Sequence, residues 1–258
     1  MEMHLKGRVA LVTGGARGIG LAEAAALAAE GVSIAVNDID AEAAAAAVEK
    51  LKDFGVDAAA FVCDVSDEDS VKANVLKVAQ RFGRLDILIN NAGIGVRPSF
   101  AVADMPVEAW DLMQHVHVRS TFLWSRAAIP LMCPGGYGRI INTSSVNYTG
   151  GGRPGASHYV AAKAAIAGFT RVLAKEVASS GITVNAIAPG YVATSLIAGF
   201  SEDMLAIVRD QNPTRRLCAP EEIGALVTFL SSRHAGFING EIVCIDGGRR
   251  EYYWGDDA

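Results

Sequence analysis

The chain has 258 residues, 51% hydrophobic and 20% charged, with a formal net charge of -5. That length supports one large α/β core with a buried pocket, and the acidic balance, without a basic block, argues against nucleic acid or an anionic membrane surface as partner. No apolar run reaches the roughly eighteen residues of a membrane span, and an N-terminus running straight into a glycine turn is unlike an export signal, so a cytosolic protein acting on small molecules is expected.

In chain order, "RVALVTG" predicts a first strand and an alanine-rich stretch near 18–30 the first helix. "VSIAVND", "AAAFVCD" and "LDILINNAG" continue as strands, with helices near 41–54 and 68–82 between them. A long helix near 107–132 follows, then "GRIINTSS", a helix from about 157, "ITVNAIAPG", a helix near 220–232 and the strand "GEIVCIDGG". Strands that are apolar throughout, alternating with helices, specify a parallel sheet covered on both faces. The expectation is one doubly wound, Rossmann-like α/β domain over residues 1–258. Cys63, Cys133, Cys218 and Cys244 lie far apart without C-x-x-C spacing and read as thiols, not zinc ligands.

Two segments raise chemical questions at once. "VTGGARGIG" joins the first strand to the first helix. Gly14, Gly18 and Gly20 admit positive φ and close approach of a ligand, and the free amides at the helix start favour a phosphate. "HVHV" puts His115 and His117 two residues apart, which on a strand would make a chelating pair. Val107, Trp110, Met113, His117, Thr121 and Trp124 follow helical spacing instead, so the two imidazoles diverge and no metal site is expected.

In "SHYVAAK", Tyr159 and Lys163 stand at i,i+4 and share a helix face. Ser145 ends "GRIINTSS", fourteen residues before Tyr159. With the T-G-x-x-x-G-x-G turn formed by Thr13, Gly14, Gly18 and Gly20, this constellation resembles the short-chain dehydrogenase/reductase family over nearly the whole chain. The resemblance implies a dinucleotide cofactor held by Thr13, Gly14, Arg17, Gly18, Ile19 and Gly20, by Asp64 and Val65, and by Asn91, Ala92 and Gly93 of "NNAG". It adds Pro189, Gly190, Val192 and Thr194 of "PGYVAT", together with Tyr159 and Lys163. Asn90 is implied to tie neighbouring strands together. Asp38, eighteen residues after Gly20, can accept hydrogen bonds from an adenosine ribose and would repel a 2′-phosphate, so NAD is expected over NADP. Arg17 pulls the other way, since an arginine in the turn can meet a phosphate.

The implied chemistry is hydride transfer coupled to proton transfer. Tyr159 exchanges the alcohol proton, Ser145 holds the reacting oxygen, and an ammonium on Lys163 lowers the tyrosine pKa. The family's fourth member is an asparagine in the long helix, and His117 stands in its place. Three roles are open to His117: a relay substitute that titrates near physiological pH, a substrate contact, or a satisfied core histidine. Residues 191–219 resemble a variable substrate lid, with Leu196, Ile197, Phe200, Met204 and Leu205 facing a ligand or packing the lid itself. Arg97 and Arg153 lie near the expected pocket loops. A secondary alcohol or its ketone, of polyol, sugar or cyclic type, is the expected substrate. A 3-oxoacyl thioester reductase and an NAD-binding regulator without catalysis are the alternatives. The resemblance further implies a homotetramer or homodimer, and Tyr252, Tyr253 and Trp254 of the tail are candidates for packing on a neighbouring subunit or over the pocket mouth.

Overall fold

The computed structural model describes residues 2–96, 98–149, 151–194, 197 and 200–248. Arg97, Leu196, Tyr252, Tyr253 and Trp254 lie outside the described residues. The chain builds a seven-stranded, all-parallel sheet from β1 (Val9–Thr13), β2 (Ser33–Asp38), β3 (Ala58–Val62), β4 (Ile87–Asn90), β5 (Gly138–Thr143), β6 (Ile182–Pro189) and β7 (Ile242–Ile245). Their order is β3-β2-β1-β4-β5-β6-β7. The α-helices among the described residues are α1 (Gly18–Ala29), α2 (Ala41–Lys52), α3 (Glu68–Phe82), α4 (Val107–Gln114), α5 (Ser120–Met132), α6 (Ser157–Val177), α7 (Glu202–Gln211) and α8 (Pro220–Ser231).

The period-two alternation of each strand divides the apolar residues between two layers. Val12, Ile34 and Ile89 pack under Leu27, Leu51 and Val227, so α1, α2 and α8 cover one face. Leu11, Leu88 and Ile140 meet Val75, Trp124 and Leu173, so α3, α5 and α6 cover the other. Side chains as fully buried as Leu27 and Ile89 each contribute about 2–3 kcal/mol of transfer free energy. The doubly wound expectation is met.

Strand order reverses between β1 and its neighbours β2 and β4, which opens a crevice at the carboxyl ends of these strands. A buried polar chain crosses the sheet just below it. Asn90 Nδ2 donates to Asn142 Oδ1 at 2.8 Å and to Ser125 Oγ at 3.1 Å, and Asn142 Nδ2 donates to Thr170 Oγ1 at 2.9 Å. Asn90 therefore ties β4 to β5 and both to α5, as the resemblance implied.

The predicted helix near 107–132 has a break in its register. A π-helical turn over His115–Arg119 separates α4 from α5. The wider turn misaligns backbone carbonyls, and two hydroxyls take them up: Ser120 Oγ donates to Val116 O at 2.6 Å and Thr121 Oγ1 to His117 O at 2.8 Å. His115 is exposed and His117 buried, so the two rings do diverge.

Candidate active site

The glycine turn is shaped by its own backbone before any ligand is considered. Gly14 and Gly18 have φ of +62° and +52°, the left-handed region that disfavours side chains. A Cβ on Gly20 would lie 2.3 Å from Gly14 O, and one on Gly14 would lie 2.9 Å from Ala92 Cα. Thr13 and Asn91 act as rivets here. The Thr13 hydroxyl donates to Ile89 O at 3.2 Å and accepts from the amides of Asn91 and Ala92, while Asn91 Nδ2 donates to Thr13 O and Gly14 O. Both side chains are spent on the turn itself, so they form the cradle rather than projecting into it.

The start of α1 fits a dinucleotide phosphate. Asp40, Asp67 and Ser201 each cap their helices α2, α3 and α7 with a side-chain oxygen, whereas Arg17 at the head of α1 makes no capping bond and no acidic residue stands in that first turn. The α1 amides thus lack the side-chain partner that three other helices have, as an anion site requires. Ile19 packs partly buried against the core behind the turn. Asp38 closes the far side: its Oδ2 accepts from Ala16 N at 3.3 Å and its Oδ1 from Asp40 N at 3.1 Å. Arg17 forms an ion pair with Asp40. Asp64 is exposed and accepts from both the amide and the hydroxyl of Ser66 at 2.8 Å, with Val65 buried beside it.

From β6 the chain returns over the same crevice. Pro189 pairs with Ile245 of β7, and Gly190 runs so close to it that a Cβ would meet Asp246 Cα at 3.1 Å. Val192 is buried and bridges to Cys218. A Cβ on Gly18 would meet Thr194 Cγ2 at 3.4 Å, which sets the "PGYVAT" loop directly against the glycine turn. Phe200 stacks edge-on against Tyr191 at 6.2 Å between ring centroids, while Ile197 and Val208 are buried and Met204 and Leu205 half-buried. Arg153 is exposed.

Ser145, Tyr159, Lys163 and His117 converge at the centre of this crevice. Ser144 Oγ donates to Lys163 O at 2.8 Å, which pins the end of β5 to α6 and brings Ser145 within hydrogen-bond reach of the Tyr159 hydroxyl. Lys163 is buried, its Nζ donates to Thr143 O at 2.7 Å, and the ammonium stands 5.6 Å from the Tyr159 ring centroid. His117 meets the Tyr159 ring edge-on at 5.6 Å.

Burial dominates the electrostatics of these residues. Burial pushes the Lys163 ammonium down to about 7, because a desolvated cation without a carboxylate partner loses its hydration. Burial raises the Tyr159 phenol above its ordinary value, the Ser145 hydrogen bond pulls it down, and Tyr191 pushes it up. The Ser145 hydrogen bond thus favours the phenolate. Burial first, and the Lys163 charge second, hold the His117 imidazole well below its ordinary value, which favours the neutral ring.

The His117 ring is locked in place. Nε2 lies 3.2 Å from Ile94 N and 3.1 Å from Ile94 O, and Nδ1 is buried with no hydrogen-bond partner among the described residues. A Cβ on Gly93 would lie 2.5 Å from His117 Cε1, so this glycine is required by the imidazole itself. Sequence reasoning missed Thr143, Ile94 and Tyr191. The first two act through backbone atoms that no residue identity announces; the Tyr191 ring carried a signal in its position directly after Pro189 and Gly190.

A family profile described as enoyl-(acyl carrier protein) reductase matches residues 14–250. The chain belongs to the short-chain dehydrogenase/reductase family. It is 41% identical over 241 residues to a cis-4-hydroxycyclohexanecarboxylate dehydrogenase of Sinomonas cyclohexanicum, covering 93% of this chain and 96% of that one. To a 3-oxoacyl-[acyl-carrier-protein] reductase of Thermotoga maritima it is 36% identical over 246 residues, covering 95% and 99%. The fold superposes on the crystal structure of a putative gluconate dehydrogenase from Agrobacterium tumefaciens with a TM-score of 0.92 at 32% identity, over 98% of this chain and all of that one. Within the short-chain dehydrogenase/reductase family, this chain is an NAD(P)-dependent oxidoreductase of alcohols or ketones.

Proposed function

We propose that the enzyme is an NAD-preferring dehydrogenase of a small secondary alcohol, of polyol, sugar or cyclic type, or runs the same reaction as a ketone reductase. The observation that carries the cofactor preference is Asp38, whose carboxylate is held against the glycine turn by the Ala16 amide and lies where a 2′-phosphate would be repelled. Gly14, Gly18, Gly20, the α1 amides and Thr194 would hold the dinucleotide, with Lys163 close to its nicotinamide end. When bound, the dinucleotide accepts or delivers the hydride at the carbinol carbon.

The rest of the chemistry belongs to the side chains. Tyr159 takes the hydroxyl proton in oxidation and returns it in reduction. Ser145 donates to the same substrate oxygen and fixes its distance from Tyr159. Lys163, anchored on Thr143 O, supplies a proton-bearing nitrogen behind the tyrosine. His117 has a positioning role: it buttresses the Tyr159 ring and the Ile94 backbone as a neutral group.

A second reading, reduction of a 3-oxoacyl thioester, is favoured by the name of the Thermotoga maritima relative. The relative from Sinomonas cyclohexanicum, named for a cyclic hydroxy acid, supports the alcohol reading. A panel of alcohols, ketones and a 3-oxoacyl thioester, assayed with NAD(H) and NADP(H) by nicotinamide absorbance, separates them. Turnover of a cyclic or polyhydroxy alcohol with NAD is expected; thioester reduction restricted to NADPH would replace this reading with the second.

A homotetramer or homodimer and a cytosolic location are part of the same proposal. Exposed Leu112 and Phe122 on α4 and α5 and Val172 on α6 support the first, and four free cysteines the second.

A further inference from the structure

We propose that Asp40 is a second determinant of dinucleotide choice: it holds Arg17 away from the adenosine 2′ position and so disfavours 2′-phosphorylated dinucleotides. The inference rests on the reading above, in which the glycine turn takes the dinucleotide and Asp38 meets its adenosine ribose. Arg17 is the single Lys or Arg of the sequence between Arg8 and Lys50. It stands at the head of α1, where a 2′-phosphate near Asp38 would call for a cation.

In the structure that cation is already engaged. The Arg17 guanidinium is ion-paired to the Asp40 carboxylate, which is itself fixed from two sides. Asp40 Oδ1 caps α2 by accepting from Ala43 N at 3.0 Å, and Asp40 N donates to Asp38 Oδ1 at 3.1 Å. The Ala43 amide, and after it Arg17, hold the Asp40 carboxyl below its ordinary value, so it stays ionised. The segment Asp38–Asp40 thus sets two carboxylates beside the glycine turn, one of them paired with Arg17.

Both side chains of the pair are substantially exposed, 60% for Arg17 and 41% for Asp40. An exposed pair of this kind is a bias and not a lock, worth at most about a fivefold change in an equilibrium. A 2′-phosphate carries close to two negative charges and feels both the release of Arg17 and the loss of the Asp40 charge.

The test is a double-mutant cycle on the full chain, read by equilibrium binding of NADP+ and NAD+ through calorimetry, with kcat/KM alongside. Asp40→Asn keeps a capping side chain on α2 and frees Arg17; Asp40→Ser does the same with a different capping oxygen. Each should tighten NADP+ by more than twofold and up to about tenfold, leave NAD+ within about twofold, and keep the melting temperature. In the Arg17→Met background the gain should fall to about twofold, the share due to removing one negative charge. Unchanged NADP+ affinity in both Asp40 variants, or an equal gain with and without Arg17, would overturn the proposal. A parent that prefers NADP+ would refute the NAD reading while the cycle still reports on Asp40; a parent that binds neither dinucleotide would overturn both.

Discussion

The His117 imidazole shows how one residue type changes meaning once its surroundings are known. An isolated histidine titrates near neutrality, but this one is 2% exposed and close to Lys163, and both facts favour the neutral ring. A single Nε2 faces both Ile94 N and Ile94 O and satisfies one of them at a time, whereas a carboxamide has a separate acceptor and donor. His117→Asn should therefore keep activity within about tenfold, with a pH–rate profile that overlays the parent's; a displaced profile would restore a titrating role. Gly93→Ala should destabilise the parent by about 1–3 kcal/mol through overpacking against His117 Cε1, and much less in the His117→Asn background, as thermal melts of the four proteins will show. At Tyr159 the test is the hydroxyl alone. Tyr159→Phe should lower kcat by about 10²–10⁴-fold with NAD+ affinity kept within about twofold; near-parental turnover would remove Tyr159 from the proton transfer.

At the scale of the element, α1 carries two functions on one helix. Its first turn offers uncapped amides to an anion, and its buried face packs Ala24, Leu27 and Ala28 into the core. Glu23 breaks that apolar face. Neither of its carboxyl oxygens finds a partner among the described residues, and burial pushes the group up to about 8. The folded value lies above the unfolded one, so the folded state holds the proton more tightly. Its stability is greatest below about pH 4.5 with respect to this group and is lost as pH rises through 8, at roughly 1.4 kcal/mol per unit between the two. Glu23→Gln should flatten that decline, and Glu23→Leu should raise the denaturation midpoint most at the alkaline end. Urea titrations at several pH values across this range measure both, and parallel slopes in parent and Glu23→Gln would show that Glu23 is not the source. Helical spacing predicted α1 itself, but a glutamate inside an alanine-rich helix gives no local sign that it faces inward.

For the whole molecule, the exposed Leu112, Phe122 and Val172 side chains set the expectation for assembly. Paired Leu112→Glu and Phe122→Glu substitutions should shift sedimentation toward a smaller species if the long-helix face joins subunits; an unchanged sedimentation coefficient would move the interface elsewhere on the surface. Residues 249–258, with their three aromatics, lie outside the described part of the chain. The succession of strands and helices along the chain and the glycine turn were legible in the sequence through local periodicity and spacing, and the Asp38 and Ser145–Tyr159–Lys163 assignments through the family resemblance. Tertiary structure alone decided the rest. It set the burial of His117 and Lys163, the pairing of Arg17 with Asp40 and the π-helical turn that buries one histidine of "HVHV" and exposes the other. These depend on desolvation and on contacts between residues distant in the chain, and neither burial nor long-range proximity is written in the spacing of residues along it.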